Sequence, residues 1–386
     1  MSTHVQNAER TRKLFIIAGE MSGDAYGAAL VHELVKRDER LLVSGLGGPQ
    51  MAAAGVDLMQ DLTSHAMMGF AGLLENIGGL VGAYRRTIHH LSMKPPDAIV
   101  LIDFPEFNLL IARHAKRLGI PVIYYVSPQV WAWRTGRVKK IAKRVTKMLC
   151  LFEFEKQFYE DAGVDVTHVG HPLIDTLGDK LGVIDPAAVR WKLGLAENQT
   201  VIGLLPGSRR KEVQYIYPTL LEAAGILRDK ISDLTFVTAR AEKVEPAQLE
   251  TIAAKYGIET TVITGQAPDV MLASDLLLIA SGTATLEAGL LGTPMVVTYQ
   301  CPLLSYVLFG ALVTTRYFAL PNIVAEREVV PELYMVDAKA ERIAAAALDI
   351  LRDGGKSMRQ ELGIIREKLG RSGATARAAE EVLKII

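Results

Sequence analysis

The stretch Asp275–Pro294, DLLLIASGTATLEAGLLGTP, decides how the rest of the chain is read. Leu276 to Ala280 is a short uncharged run rich in Leu and Ile, the pattern of a parallel strand buried on both faces. Ser281, Gly282 and Thr283 carry little bulk, so backbone and hydroxyl groups there can approach a ligand closely. Ala284 to Leu291 reads as a helix, whose first N–H groups lack partners and whose dipole end is positive. A small-residue turn feeding a helix start is an anion site. Glu287 would repel a phosphate beside it but can accept two hydroxyl hydrogen bonds from a ribose. Two readings stay open: a diphosphate at the turn with a ribose at Glu287, or a glutamate that only complements the helix dipole.

Composition sets the frame around that stretch. A length of 386 residues favours two domains, each large enough for a substantial core. Lys plus Arg and Asp plus Glu are both 43, so the chain lacks the global basic field that nucleic-acid binding needs. Cys150 and Cys301 are the only cysteines, which excludes a disulfide framework and a cysteine metal cluster. The isolated histidines His114, His168 and His171 form no ligand set, and no metal is implied. The start, MSTHVQNAERTRK, has no apolar signal core before Leu14, and the chain reads as cytoplasmic. Ala288 to Thr315 holds no charge, yet Pro294, Gln300 and Pro302 interrupt it and Met295 to Tyr299 reads as a strand. Leu62 to Tyr84 carries only Glu75 as a charge, with glycines between Met67, Met68, Phe70, Leu73, Leu74 and Ile77. That segment is either an apolar patch dipping into a bilayer interface or an ordinary buried helix.

From the N-terminus, Leu14 to Ala18 is a buried strand, followed by the turn Gly19 to Asp24 and a helix through about Val35. This is the opening of a doubly wound domain without the full dinucleotide fingerprint. Glu20 and Asp24 put negative charge where a cofactor phosphate would sit, which favours a ligand with hydroxyls. Strands follow at Leu41 to Gly45, Ala98 to Ile102, Val122 to Val126 and Met148 to Phe152, with helical patterns between them, including Leu109 to Leu118. Such alternation means a parallel sheet with helices on both faces and ligands at the C-terminal strand ends. Asp103, at one such end in IDFPEFN, is placed either as a general base or as the cap of the next helix or turn.

Beyond Ser127, in VSPQVWAWRTGRVKKIAKRVTK, Val138, Ile141, Val145 and Met148 recur at helical spacing. Around that stripe stand Arg134, Arg137, Lys139, Lys140, Lys143, Arg144 and Lys147, with no acid among them and with Trp131 and Trp133 nearby. The expectation is one basic helix, suited to anionic headgroups or a phosphorylated substrate, or else simply solvated. The pattern loosens between Val169 and Pro186, marking an interdomain passage.

A second domain opens with a strand at Val201 to Leu205 and the turn LPGSRRKE, ahead of a helix beginning near Lys211. Gly207 permits close backbone approach, Ser208 offers a hydroxyl, and Arg209 is either a fork for an anion or a solvated loop arginine. Strands at Leu234 to Thr238 and Thr261 to Thr264 precede the Leu276 strand, so the Arg209 and Ser281 turns belong at strand ends of one sheet. Together they suit a departing diphosphate. Leu320, Pro321 and Asn322 read as a short turn, and a final amphipathic helix spans about Ala374 to Ile386.

Standing in order along the chain, AGEMSGD, DFPEFN, SPQVWAW, VGHPL, LPGSRRKE, SGTATLE and LPN make it resemble the lipid-A-disaccharide synthase family over nearly its whole length. The resemblance implies an α/β, GT-B type glycosyltransferase: two Rossmann-like domains facing a cleft. Residues 1–180 would form an acceptor and membrane-facing domain, completed by about 366–386, and residues 181–365 the UDP-sugar-binding domain. It implies inverting transfer of 2,3-diacylglucosamine from UDP to the 6-hydroxyl of 2,3-diacylglucosamine 1-phosphate (lipid X), without metal or cofactor. The setting implied is lipopolysaccharide synthesis on the cytoplasmic face of the inner membrane, with a homodimer as an option and no nucleic acid. By the same resemblance Asp103, Arg209 and Asn322 are the catalytic set. Substrate binding would fall to Glu20, Ser22, Gly23, Asp24 and Ser127 in the first half. In the second half it would fall to Gly207, Ser208, Ser281, Gly282, Thr283, Thr285 and Glu287. Met67, Met68, Phe70, Leu73, Leu74 and Ile77 would contact the membrane. Met21, Gly72 and Leu73 depart from the family's usual residues. A non-hydrolysing UDP-sugar 2-epimerase, or a membrane-docked UDP-sugar and lipid-binding protein without turnover, is the alternative.

Overall fold

The computed structural model describes residues 11–63, 77–128, 135–178, 181, 185–301 and 316–386. Met67, Met68, Phe70, Leu73 and Leu74 lie outside the described residues, as do Trp131, Trp133 and Arg134, and of Ile77 only the backbone is described. The chain forms two compact units, Met1–Asp175 with Arg371–Ile386, and Thr176–Gly370.

Unit 1 runs β1 (Lys13–Ala18), α1 (Met21–Arg37), β2 (Leu42–Gly47), α2 (Pro49–Ala53), β3 (Asp57–Asp61), α3 (Ile77–Met93) and β4 (Ala98–Ile102). It continues through α4 (Pro105–Arg117), β5 (Val122–Tyr125), α5 (Val138–Ala142), β6 (Lys147–Cys150), α6 (Glu153–Glu160), β7 (Val166–His168) and α7 (Pro172–Leu177), whose last residues enter unit 2. Its strands are all parallel, in the order β3-β2-β1-β4-β5-β6-β7. Every residue of β4 is buried, as helices on both faces of a parallel sheet require.

Unit 2 runs α8 (Pro186–Lys192), β8 (Thr200–Leu205), α9 (Arg210–Arg228), β9 (Leu234–Arg240), α10 (Pro246–Tyr256), β10 (Thr261–Thr264) and α11 (Ala267–Ala273). Then come β11 (Leu276–Ala280), α12 (Thr283–Leu291), β12 (Met295–Tyr299), α13 (Leu320–Ala325), β13 (Glu332–Tyr334), α14 (Ala340–Leu351) and α15 (Lys356–Leu369). Its parallel sheet has the order β10-β9-β8-β11-β12-β13. In each unit the strand order reverses once, between β1 and β4 and between β8 and β11. That reversal opens a crevice beyond the carboxyl ends of the two central strands.

The last helix, α16 (Ala374–Leu383), belongs to unit 1 and packs its small residues Ala374, Ala378, Ala379 and Val382 inward against α1. Asp175 holds its start by accepting the backbone N–H groups of Gly373 and Thr375. The segment Val138 to Met148 is not one basic helix: α5 ends at Ala142, and Lys147 and Met148 lie on β6. Arg137 pairs with Glu106 at 2.8 Å and Lys147 with Asp165 at 2.7 Å, so acids from elsewhere meet part of the charge. Among the described residues no helix is long and apolar enough to cross a membrane.

Candidate active site

In unit 1 the residues flanking the reversal come from the ends of β1 and β4. Asp103 follows β4 with φ +45°, and Phe104 repeats φ +45° directly before α4. Two successive non-glycine residues in the left-handed region cost on the order of 1–3 kcal/mol each, so their surroundings must hold them. Those surroundings are visible. The Asp103 carbonyl accepts Tyr124 Oη–H at 2.6 Å and Asn108 Nδ2–H at 2.7 Å, and both donor residues are fully buried. The Phe104 ring stacks on Phe107 at 5.6 Å and lies over Gly19, where an added Cβ would stand 2.2 Å from the ring. A side chain at position 19 would therefore evict Phe104 and release the turn.

Burial first, and then the charge of Glu20, push the Asp103 carboxyl up to about 7, with Glu155 adding to the rise and the Phe104 backbone N–H opposing it. A carboxyl with that affinity can take and return a proton near neutral pH. Asp103 does not cap α4; the capping position is occupied by Phe104.

Other expected substrate residues of unit 1 are engaged inside the protein. Asp24 is buried and accepts the backbone N–H groups of Gly48, Gln50 and Met51 at 2.8 to 3.1 Å, which fixes the turn into α2. Ser127 donates its hydroxyl to Glu155, which is itself buried and accepts the backbone N–H groups of Leu151 and Phe152. Ser127 thus helps anchor the start of α6. Glu20 sits at the N-terminal cap of α1, where Ser22 is half-buried and Gly23 buried.

In unit 2 the reversal lies between the ends of β8 and β11. Gly207, after β8, takes φ +111°, and a Cβ there would stand 2.7 Å from the Glu212 carboxylate. Only glycine serves, because Glu212 folds back beneath the loop to accept the backbone N–H groups of Ser208 and Arg209. Its other oxygen accepts Arg209 Nη1–H at 2.8 Å, which aims a partly exposed guanidinium at the start of α9. After β11, Ser281 is half-buried and Gly282 and Thr283 are exposed at the start of α12. Thr285 is buried, with its hydroxyl donated to the Gly282 carbonyl at 2.8 Å; it shapes the turn rather than facing outward. Glu287 is half-buried on α12.

Asn322 lies fully buried at the start of α13, within a helix rather than in a turn. Its Oδ1 accepts the N–H groups of Val329 and Val330, and its Nδ2 donates to the Val330 carbonyl. Glu332 similarly accepts the N–H groups of Phe318 and Ala319, and burial raises its carboxyl above the ordinary value. These bonds tie α13 to β13, and Phe318, 4.4 Å from Tyr334 by ring centroids, sits beside Ser281. Asn322 thus holds the backbone that leads into β13.

Tyr124, Asn108, Glu155, Glu212 and Glu332 carry the site's framework and were not singled out from the sequence. Glu155 and Glu212 each stand three residues after their helix cap, the spacing of a reach-back glutamate, and that signal is present in FEFE and SRRKE.

Two parallel-sheet α/β units, each with charged and small residues at the strand ends beside its reversal, make up a two-domain fold of the GT-B type. Solved structures share this fold. UDP-GlcNAc 2-epimerase of Neisseria meningitidis bound to UDP-GlcNAc matches with a TM-score of 0.66 at 14% identity, covering 96% of this chain and 100% of that one. MurG of Acinetobacter baumannii matches with a TM-score of 0.61 at 13% identity, covering 97% and 99%. Sequence carries the assignment further. Residues 14–386 match the model of the lipid-A-disaccharide synthetase family, and the chain belongs to that family. It is 41% identical to lipid-A-disaccharide synthase of Geobacter metallireducens over 377 residues, 97% of each chain.

Proposed function

We propose that the protein transfers 2,3-diacylglucosamine from UDP-2,3-diacylglucosamine to the 6-hydroxyl of 2,3-diacylglucosamine 1-phosphate, with inversion and release of UDP. The observation that carries this reading is the family match across residues 14–386, which favours transfer over epimerisation. The site chemistry supports it in two parts.

An inverting displacement needs one base on the acceptor hydroxyl and stabilisation of charge on the departing diphosphate. Asp103 suits the first role, since its surroundings give it a proton affinity near neutral pH. Arg209, with the exposed backbone of Gly282 and Thr283 at the start of α12, suits the second. Glu287 then takes the ribose hydroxyls, with Ser281 and Ser208 as further hydroxyl partners of the nucleotide. Asn322 positions the segment beside Ser281 without touching substrate. A peripheral seat on the cytoplasmic face of the inner membrane completes the reading, supported by the exposed Lys139, Lys140 and Lys143.

The test is UDP release with synthetic diacylated donor and acceptor. Release is expected only when both are present. Conversion of the donor sugar without acceptor would replace transfer by epimerisation, and nucleotide binding with no release would leave a binding protein. Hydrogen exchange with UDP is expected to protect 207–212 and 281–287; protection confined to 19–24 would move the nucleotide to unit 1.

A further inference from the structure

We infer that Tyr124, with Asn108, is a positioning residue for the acceptor base: the two donors lock the Asp103 backbone in its left-handed turn and so aim its carboxyl. The inference rests on the proposed role of Asp103 and adds the part of unit 1 that makes that role possible.

Tyr124 is the third residue of β5, paired with Leu101 of β4, so its side chain rises from the sheet next to the strand that leads into Asp103. Its hydroxyl is buried and donates to the Asp103 carbonyl at 2.6 Å, within the normal range for O–H···O. Asn108, one turn into α4, reaches back with Nδ2 to the carbonyls of both Ile102 and Asp103, at 3.1 and 2.7 Å. One carbonyl oxygen thus receives two buried donors, one from the sheet and one from the helix. A sheet-to-helix turn that needed only to be closed would use glycine at positive φ. Here the residues at positive φ are an aspartate and a phenylalanine, so the conformation is held by partners from outside the turn.

Among the described residues Asn108 Oδ1 is buried with no hydrogen-bond partner, so this amide is placed for what its nitrogen does. Burial, and next the charge of Asp103, raise the Tyr124 hydroxyl well above its ordinary value, so it stays a donor throughout the working pH range. Glu20 and Glu155 bear on Asp103, and Glu106, paired with Arg137, and Tyr159 bear on Tyr124. Tyr124→Phe removes the hydroxyl and leaves these carboxylates in the chain.

The experiment is Tyr124→Phe in the full-length enzyme, assayed by UDP release across pH beside Asp103→Asn. Phenylalanine fills the same space, and the expected loss is about tenfold in kcat with KM for the UDP-sugar unchanged, the factor of about one lost hydrogen bond. With the turn loosened the carboxyl gains water, and the low-pH limb of kcat/KM, expected near 7 in the wild type, moves toward the range of ordinary carboxylates. A purely structural hydroxyl would lower the melting temperature and leave that limb in place, which would overturn the inference. Asn108→Ala provides the second route, with the same direction in kcat and in the limb. Wild-type turnover and limb in Tyr124→Phe, with Asp103→Asn inactive, would remove the positioning role alone. Wild-type turnover in Asp103→Asn would remove the base and the positioning role together.

Discussion

The crevice between β1 and β4 and the crevice between β8 and β11 share one topology and carry opposite chemistry. Beyond β1 and β4 the protein gathers carboxylates, with Glu20 and Glu155 raising the proton affinity of Asp103. Beyond β8 and β11 it sets small residues at a helix start together with Arg209. The backbone follows the same division. Just beyond β4 and β5 positive φ falls on Asp103, Phe104 and Val126, all bearing side chains, whereas the turn beyond β8 gives it to Gly207. Where the backbone N–H groups meet the ligand, glycine removes bulk and strain. Where a side chain must be aimed, the strain is kept and offset by buried partners.

The largest effects come from exchanging these roles. Asp103→Asn is expected to lower kcat by about 10²–10⁴-fold while UDP affinity stays unchanged, since a general base acts on the acceptor. Arg209→Ala is expected to lower kcat by about 10²–10³-fold and also to weaken UDP, because the guanidinium meets the same diphosphate before and after bond cleavage. Steady-state kinetics beside UDP calorimetry separates them. If Asp103→Asn weakened UDP as much as Arg209→Ala, the division of labour would fail.

How much of this was legible in the sequence follows from what each residue does. The central strands, such as Ala98–Ile102 and Leu276–Ala280, read correctly because burial on both faces leaves an unbroken apolar run. Of the edge strands β10 read correctly at Thr261–Thr264, but β3, β7 and β13 did not: DLMQD has only two apolar residues, and VTH and ELY are three residues long. An edge strand has solvent on one side and needs no apolar run. Asp103 and Arg209 stood out as charged residues after buried strands. Asp24 stood out for the same reason, and Ser127 and Thr285 through the family resemblance, although each makes hydrogen bonds inside its own unit. A sequence shows that a polar side chain lies at a strand end but not which way it turns. Tyr124 shows the converse, since within VIYY it reads as one more apolar strand residue.

Asn322 gives the next, smaller effect and sharpens unit 2's side of the comparison. Asn322→Ala strands the N–H groups of Val329 and Val330 and the Val330 carbonyl, three buried backbone partners. The expected cost is about 2–4 kcal/mol in urea unfolding, with turnover near wild type wherever the fold persists. A stable Asn322→Ala protein whose turnover fell as far as that of Arg209→Ala would make the amide a ligand contact.

The last effect is again one of stability, and its sign is set by the Asp103 environment. Its carboxyl ionises near 3.8 in an ordinary setting and about 7 in the fold. Below the lower value both folded and unfolded chains keep the proton, and the site carries no penalty. As pH rises through the window, the unfolded chain gives up its proton first, so ionisation favours unfolding until the folded carboxyl also loses its proton. Above about 7 the penalty is complete and constant. Asp103→Asn removes the titrating group while keeping a side chain that tolerates positive φ. The variant should therefore melt above wild type at pH 8, with the gap closing as pH falls and absent near pH 3.5. A gap of the same size at both ends would mean that the asparagine acts through packing. The carboxyl at the end of β4 would then be no more averse to charge than one in water, and the contrast between the two crevices would reduce to residue type alone.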